Sequence, residues 1–278
     1  MTGAAHGSMG WGIAVALAQQ GANVAVCELP SQSAALERTV AELGALGVQT
    51  FSTLADMTVR KDVEALFDSA MATFGRIDIA VATVGGNPPP KPGEEQPVHH
   101  NSEDYDEHAA SASSILGLSW EQYMRTTATT QFSAWHTAQV AARHMVKRGV
   151  GGRIILIGSV MADMAAPGAS SYSSSKAAVR QLGRTMANEL GQHGINVNTV
   201  QPGHILSNVE LNAMTKEAIA NRGHNIPVGR MGSPADIGGC VAFLCSQAAA
   251  YITGATIDVD GGWNVAKTIP TEDPPARL

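Results

Sequence analysis

Short β-prone runs alternate with longer helical segments over the first third of the chain. The helical segments are residues 10–20, 33–46 and 58–74, and the β-prone runs are residues 23–27, 48–53 and 77–84. Each helical segment is followed closely by a glycine, the residue that most often ends a helix. This alternation predicts an α/β fold with a doubly wound parallel sheet and crossover helices on both faces.

The same alternation continues in the second half of the chain. Ser119 is a candidate helix cap, and the helix that it begins is expected to run to about residue 148. Further strands are predicted at residues 153–157, 196–200 and 255–259, and further helices at residues 172–191 and 234–246. We therefore expect one domain over residues 1–267, followed by a loosely held, proline-containing tail at residues 268–278.

Residues 87–114 interrupt the pattern with five prolines and then with histidines and acids. We interpret this segment as an exposed excursion that covers a substrate pocket or forms a subunit contact. A metal site is the alternative, but its candidate ligands have no defined spacing, and a solvated acidic loop is favoured. These ligands are His99, His100, His108, Glu94, Glu95, Glu103, Asp104, Asp106 and Glu107.

Charge and cysteine usage exclude several classes of protein. The net charge of −6 and the 18 scattered Lys and Arg residues argue against a nucleic-acid partner. The three cysteines have no metal-ligand or redox spacing, which favours free thiols in a reducing compartment. No apolar run reaches the ~18 residues of a membrane span, and no signal-peptide pattern opens the chain. We expect a cytoplasmic protein with no membrane partner.

The segment at residues 2–10 carries glycines at 3, 7 and 10 directly before an apolar helix. Glycines there let the backbone approach a pyrophosphate, whose charge the helix N-terminus favours. Glu28 ends the next strand, 18 residues after Gly10, where an acid can bond a ribose hydroxyl and repel a 2′-phosphate. The order predicts binding of NAD(H), with NADP(H) less favoured. A plain glycine-rich turn and a solvated Glu28 are the alternatives.

A phosphate loop normally follows a strand, whereas only Met1 precedes Thr2 here. The first, central strand of the sheet is apparently absent. Either the chain starts further upstream than Met1, or the sheet is completed in another way. An empty place in mid-sheet leaves two strands with unpaired backbone groups, at a cost on the order of several kcal/mol.

Tyr172 and Lys176 lie four residues apart at the start of a predicted helix, so they share one face. The ammonium is expected to lower the tyrosine pKa toward working pH, which makes the phenol a candidate acid and base. Ser159 follows a predicted strand at its carboxyl end, where its hydroxyl can orient a substrate oxygen. A chance YxxxK pair in a serine-rich loop is the alternative.

Together these motifs resemble the short-chain dehydrogenase/reductase family over nearly the whole chain. The glycine loop resembles TGxxxGxG with one extra residue, Ser159 precedes the YxxxK tyrosine by 13 residues, and residues 198–203 resemble N-x-V-x-P-G. The resemblance implies a Rossmann-like fold and a catalytic set of Ser159, Tyr172 and Lys176. It also implies cofactor contacts from Gly3, His6, Gly7, Met9, Gly10, Glu28, Asp56, Met57, Ala82, Val84, Gly85, Tyr172, Lys176, Pro202, Gly203, Ile205 and Ser207.

Two departures from the family pattern affect the site. The turn that usually reads NNAG is Ala82-Thr83-Val84-Gly85 here, and the helix asparagine often placed in a proton relay corresponds to Thr130. A threonine hydroxyl can still bind water, but its reach differs. Thr130 therefore enters the catalytic set only as a replacement for the usual asparagine.

The resulting prediction is an NAD(H)-dependent oxidoreductase that interconverts a secondary alcohol and a ketone. The alternative is a weakly catalytic dinucleotide-binding sensor or scaffold of the same fold, and a related epimerase or dehydratase is a third possibility. The resemblance implies a homotetramer or homodimer. The apolar face at residues 135–145 fits such a contact, and it fits an internal core equally well. Substrate specificity is expected in residues 206–225 and in the excursion.

Overall fold

The computed structural model describes residues 1–86, 88, 114–208, 211 and 214–266. Its strands are β1 Val24–Glu28, β2 Thr50–Leu54, β3 Ile79–Ala82, β4 Gly152–Ile157, β5 Ile195–Pro202 and β6 Thr256–Val259. Its helices are α1 Met9–Gln19, α2 Ser33–Ala45, α3 Arg60–Phe74, α4 Trp120–Thr127, α5 Ser133–Arg148, α6 Ser170–Leu190, α7 Lys216–His224 and α8 Pro234–Cys245.

All paired strands in the described part of the chain run parallel. β1 pairs with β2, and β3, β4, β5 and β6 form a second ladder in that order. In the register of this ladder, Val81 of β3 pairs with Ile155 of β4, and Ile155 pairs with Asn198 of β5. The predicted α/β fold with a parallel sheet and crossover helices is confirmed.

Helices cover both faces of the four-stranded ladder. On one face, Ile13 of α1 and Ile237 of α8 pack with Ile155 in a single buried cluster. On the other face, helices α3, α5 and α6 bury apolar side chains against β3 and β4. α1 and α8 approach so closely that a Cβ on Gly238 would lie 2.6 Å from the Gly12 carbonyl oxygen, so only glycine fits at this crossing.

The place between β1 and β3 is filled only at its carboxyl end, by Met1 and Thr2. The Thr2 amide donates to the Val81 carbonyl at 3.3 Å, and the Cys27 amide donates to the Met1 carbonyl at 3.1 Å. Thr2 and Cys27 form an isolated parallel bridge. Below this bridge a slot with a cavity volume of about 310 Å³ separates the facing edges of β1 and β3. Met1 and Thr2 thus hold the carboxyl end of the central position of the sheet, and the cavity lies along the rest of it.

The amino group of Met1 lies at the mouth of this slot and donates to the Ala25 carbonyl at 2.9 Å. This is the bond that a strand amide at the same place would make. Burial lowers the pKa of the Met1 amino group, because an ammonium there has little water around it.

Two features differ from the sequence prediction, and one alternative that the sequence left open is narrowed. The helix expected from Ser119 to about residue 148 is interrupted by a π-helical turn at Ala128–Phe132, and α7 was not predicted. Much of the apolar face at residues 135–145 is internal, because Ala138, Ala141 and Met145 are fully buried. The tail at 268–278 and, apart from residues 88 and 114, the excursion at 87–114 lie outside the described residues. None of the described helices has the length and apolar character of a membrane span.

A strand added ahead of Met1 should enter the slot. We expect an extension of five alternating valine and alanine residues to raise Tm by at least about 5 °C, because one kcal/mol shifts Tm by about 2–4 °C in a chain of this size. Differential scanning calorimetry measures the change. An extension of equal length that contains two prolines is the control, since proline cannot donate to a ladder. Equal effects of the two extensions would contradict strand insertion.

Candidate active site

Ser159 lies just beyond the carboxyl end of β4 and begins a short turn. Its backbone is extended, with φ of −166°, and its Oγ accepts a hydrogen bond from the Met161 amide at 3.2 Å. The side chain faces the interior, since only 7% of Ser159 is exposed. The end of the strand and the turn together fix the direction of the hydroxyl, as predicted for a residue at this edge of a parallel sheet.

The first turns of α6 bring Tyr172 and Lys176 to the same place. The Tyr172 hydroxyl lies near the side chain of Ser159, close enough for hydrogen bonding between the two to lower the pKa of the phenol. The Lys176 Nζ donates to the carbonyl of Ile157 at 2.8 Å and lies 5.6 Å from the centre of the Tyr172 ring. The three side chains that the sequence assigned to catalysis therefore form one cluster.

Burial dominates the electrostatics of this cluster. It raises the pKa of Tyr172 above its ordinary value, and the hydrogen bond to Ser159 offsets part of that rise. It lowers the pKa of Lys176 to about 8, because the ammonium is removed from water. The direction for Tyr172 is opposite to the sequence expectation, in which the neighbouring ammonium lowers its pKa. Desolvation of the phenolate outweighs that attraction in the protein alone.

Thr130 lies on the π-helical turn, a feature that often marks functional sites, and it is fully buried. Its hydroxyl accepts from the Gly86 amide at 3.2 Å, so it holds the turn that follows β3. Gly85 lies between Thr130 and Lys176: a Cβ there would come within 2.8 Å of the Lys176 Nζ. A side chain at residue 85 would therefore displace the Lys176 ammonium from its present position.

The glycine loop crosses the end of β1 and enters α1. Gly3 and Gly7 have φ of 66° and 81°, which side chains disfavour, and a Cβ on Gly10 would overlap the Gly3 carbonyl oxygen. Ser8 caps α1 by accepting from the Trp11 amide at 3.2 Å. The loop is thus a cradle of bare backbone at a helix N-terminus, which suits a pyrophosphate.

Two other residues of the loop that were predicted to contact the cofactor, His6 and Met9, have side chains that contact other parts of the protein. The His6 ring lies 5.1 Å from the ring of Trp11, and its Nε2 lies 3.4 Å from a carboxylate oxygen of Glu42 on α2. Met9 is the first residue of α1 and packs partly against the core. The backbone of these residues, more than their side chains, is what the loop offers to a ligand.

Glu28 lies at the end of β1 against the glycine loop. One carboxylate oxygen accepts from the Ala5 amide at 3.3 Å and the other from the Leu29 amide at 2.9 Å. These two bonds orient the carboxylate beside the loop, where the ribose of a dinucleotide is expected.

Asp56 and Met57 follow β2. One carboxylate oxygen of Asp56 accepts from the amide of Thr58 at 2.8 Å and from its hydroxyl at 2.7 Å. The Met57 side chain is buried, with its sulfur 3.8 Å from that of Cys27. Any contact of Met57 with a cofactor is therefore left to its backbone, because its side chain belongs to the core.

The segment after β5 folds back over the glycine loop. Ile205 is buried and bridges Gly232. Asn208 was not identified from the sequence. Its backbone amide donates to the Gly7 carbonyl at 3.1 Å, and its side-chain Nδ2 donates to the His6 carbonyl at 2.8 Å. Because Asn208 lies where a Cβ of residue 7 would be, the loop and this segment fit together only through glycine.

The predicted cofactor residues thus occupy the ends of several parallel strands. In addition to the residues described above, Ala82 and Pro202 end β3 and β5, and Val84, Gly203 and Ser207 follow these strands. Among the residues that the structure describes, no three histidine, cysteine, aspartate or glutamate side chains are grouped to hold a metal ion. The candidate ligands of the excursion lie outside those residues.

The chain is similar to known dehydrogenases and reductases over most of its length. A family model described as enoyl-(acyl carrier protein) reductase matches residues 3–264. The 7alpha-hydroxysteroid dehydrogenase of Escherichia coli (strain K12) is 33% identical over 262 residues, which cover 94% of this chain and 92% of that protein.

Solved structures of dehydrogenases resemble this chain in both fold and sequence. A short-chain type dehydrogenase/reductase from Mycobacterium marinum has a TM-score of 0.79 and 32% identity, with 97% of this chain and 94% of that chain covered. A 7 alpha-hydroxysteroid dehydrogenase complexed with NADH and 7-oxo glycochenodeoxycholic acid has a TM-score of 0.78 and 33% identity, with coverage of 94% and 91%.

The lowered pKa of Lys176 should be visible in the stability of the protein. The unfolded lysine, with a pKa of 10.5, holds its proton to higher pH than the folded one, with a pKa of about 8, so folding stability rises with pH between these values. Relative to Lys176→Met, we expect the wild-type free energy of unfolding to gain on the order of 1–2 kcal/mol from pH 7.5 to 9.5. Urea unfolding measures it.

Comparison of the two proteins removes the titration of their other groups, including the cysteines. If the difference in unfolding free energy stays flat across this range, Lys176 is not buried as an ammonium.

Proposed function

Because the chain belongs to the short-chain dehydrogenase/reductase family, we propose that it interconverts a secondary alcohol and a ketone with NAD(H), using Tyr172, Lys176 and Ser159. The cluster of these three side chains at the carboxyl end of β4 is the observation that carries the proposal. A protein that only binds a dinucleotide has no need of a half-buried phenol beside a serine hydroxyl.

The glycine loop, the N-terminus of α1 and Glu28 are the groups that would hold the dinucleotide. The bare backbone around Gly3, Gly7 and Gly10 fits a pyrophosphate, since a side chain at Gly10 would overlap the loop itself. When bound, the nicotinamide accepts or donates the hydride. Asp56, Met57 and the turn Ala82–Gly85 are proposed to line the adenine and ribose side, and Pro202, Gly203, Ile205 and Ser207 the nicotinamide side.

Tyr172 is the proposed acid and base. Its phenol donates a proton to the carbonyl oxygen during reduction and takes the hydroxyl proton during oxidation. Ser159, whose side chain lies near Tyr172, is proposed to bond the same substrate oxygen and stabilise charge on it. Lys176 is proposed to hold the ribose hydroxyls and to favour the phenolate by its charge.

The raised pKa of Tyr172 in the protein alone has a consequence for this scheme. The phenol is protonated at neutral pH, which suits reduction of a ketone. Oxidation of an alcohol needs added positive charge beside the ring, and the oxidised nicotinamide is cationic. The site is thus poised to release the Tyr172 proton once a positive ligand is in place.

Glu28 supports NAD(H) over NADP(H). Its carboxylate is oriented by the Ala5 and Leu29 amides beside the loop that would hold the adenosine ribose. A carboxylate there accepts from a 2′-hydroxyl and repels a 2′-phosphate.

Self-association is proposed from exposed aromatic residues on α4 and α5. Trp120 is 69% exposed and Trp135 is 42% exposed, and large apolar side chains of this kind are enriched in protein contacts. A homodimer or homotetramer through these helices would cover them.

Replacing Tyr172 tests the proposed chemistry. Tyr172→Phe should lower kcat by at least about 10³-fold, because the proton donor is lost, while NADH affinity changes little. Consumption of NADH with a panel of ketones that includes a 7-oxo steroid measures turnover, and quenching of protein fluorescence measures binding. Tyr251→Phe is the matched control, since Tyr251 is fully exposed. Full turnover in Tyr172→Phe would refute the assignment, and wild-type NADH binding with no turnover on any ketone would favour the sensor or scaffold.

Removal of the Glu28 charge tests cofactor choice. Glu28→Gln keeps a hydrogen-bond acceptor toward the Ala5 amide but removes the repulsion of a 2′-phosphate. The ratio of kcat/KM for NADH to that for NADPH should fall by at least about tenfold, the effect of roughly 1.4 kcal/mol. Glu37→Gln, at an exposed position of α2, should leave the ratio as it is. An unchanged ratio in Glu28→Gln would place the ribose elsewhere.

A further inference from the structure

Gln201, in β5, joins two acidic residues from distant parts of the chain. Its side chain is completely buried. Its Nε2 donates to a carboxylate oxygen of Asp163 at 2.9 Å and to one of Asp258, in β6, at 2.8 Å. Both hydrogens of the amide are thus used, and each is directed at an anion.

Asp163 ends the turn that Ser159 begins. The amide of Ala162 donates to the Ser159 carbonyl at 2.9 Å, and the amide of Asp163 donates to the Val160 carbonyl at 3.0 Å. The Asp163 carboxylate also forms an ion pair with Arg180, two turns beyond Tyr172 on α6. Anchoring Asp163 therefore fixes the far end of the turn that carries Ser159.

Energetics indicate that this glutamine does more than fill space. The Oε1 of Gln201 is buried without a hydrogen-bond partner among the described residues, which costs stability on the order of 1–3 kcal/mol. The Gln201 bond, opposed by burial and helped by Arg180, lowers the pKa of Asp163, so that carboxylate stays charged. An apolar residue at 201 would avoid the unpaired oxygen but leave two nearby carboxylates with no donor between them.

We propose that Gln201 is a positioning residue for Ser159: by binding Asp163 and Asp258 it locks the Ser159 turn to β6 and keeps the serine hydroxyl on Tyr172. This rests on the proposed function, in which Ser159 and Tyr172 share the substrate oxygen. Catalytic hydrogen bonds tolerate little displacement, and a shift of about 1 Å can cost roughly 100-fold in rate.

The test is a double-mutant cycle on ketone reduction. Gln201→Leu, close in volume, should lower kcat by about 10- to 100-fold with the KM for NADH changed less than about twofold. In a Ser159→Ala background the same change should have little further effect, because the serine through which Gln201 acts is gone. Gln192→Leu, at an exposed site, is the control for the substitution and should match wild type.

The pH profile separates positioning from a merely structural role. Loss of the Ser159 bond removes the interaction that lowers the Tyr172 pKa, while Lys176, the charged group beside the ring, stays in place. The pH at which alcohol oxidation with NAD⁺ becomes half-maximal should therefore rise by about half a unit or more in Gln201→Leu.

A second pair of variants keeps the proposal testable if Gln201→Leu fails to fold. Asp163→Ala removes the hydrogen bond between Gln201 and Asp163 by changing its partly exposed partner. It should lower kcat as Gln201→Leu does, and the effect should likewise disappear in the Ser159→Ala background. Asp163→Asn keeps an acceptor for Gln201 and should recover most of kcat.

Losses that add fully to that of Ser159→Ala, or an unmoved pH profile, would overturn the proposal. The proposed function fails separately, if Tyr172→Phe retains turnover.

Discussion

The hydrogen bond from the Lys176 ammonium to the Ile157 carbonyl ties the catalytic helix to the sheet. It joins α6 to the end of β4 in a buried place, and it holds the ammonium 5.6 Å from the centre of the Tyr172 ring. Room for this lysine depends in turn on Gly85 and on the turn that Thr130 holds after β3. Four segments that are far apart in sequence thus meet around one buried cation, whose desolvation is tolerated because the backbone oxygen partly replaces water.

Burial also opposes ionisation of Tyr172 and Lys176 in the protein without a cofactor. Burial raises the pKa of Tyr172 and lowers the pKa of Lys176, and both shifts favour the neutral side chain. The phenol therefore keeps its proton, and the ammonium holds its proton less firmly. A dinucleotide on the glycine loop would add charge and exclude more water, and electrostatic effects inside such a site are larger than in bulk. In the proposed mechanism, the Ser159 turn, held by Asp163 and Gln201, would keep the substrate oxygen in line with the phenol.

Much of this fold followed from local sequence pattern, because helix periodicity, strand runs and glycines at helix ends are readable without tertiary contacts. The spacing from Ser159 through Tyr172 to Lys176 likewise reflects one strand, one loop and one helix face. The π-helical turn at Thr130, the burial that reverses the expected Tyr172 pKa direction, and the Asn208 contact with the glycine loop could not be predicted in this way. They arise where separate elements pack together. Gln201 is a clear example: its partners come from a turn and a strand 38 and 57 residues away.

Transfer of deuterium from NADH labelled at the nicotinamide C4 tests the central claim most directly. Two labelled cofactors are prepared, each with deuterium on one face of the nicotinamide ring. The alcohol formed from each ketone with each cofactor is analysed by mass spectrometry and NMR. We expect one of the two labelled forms to place a single deuterium on the carbinol carbon, with the new hydroxyl proton coming from solvent. Cofactor binding with no label in any product would contradict hydride transfer at the Ser159, Tyr172 and Lys176 cluster.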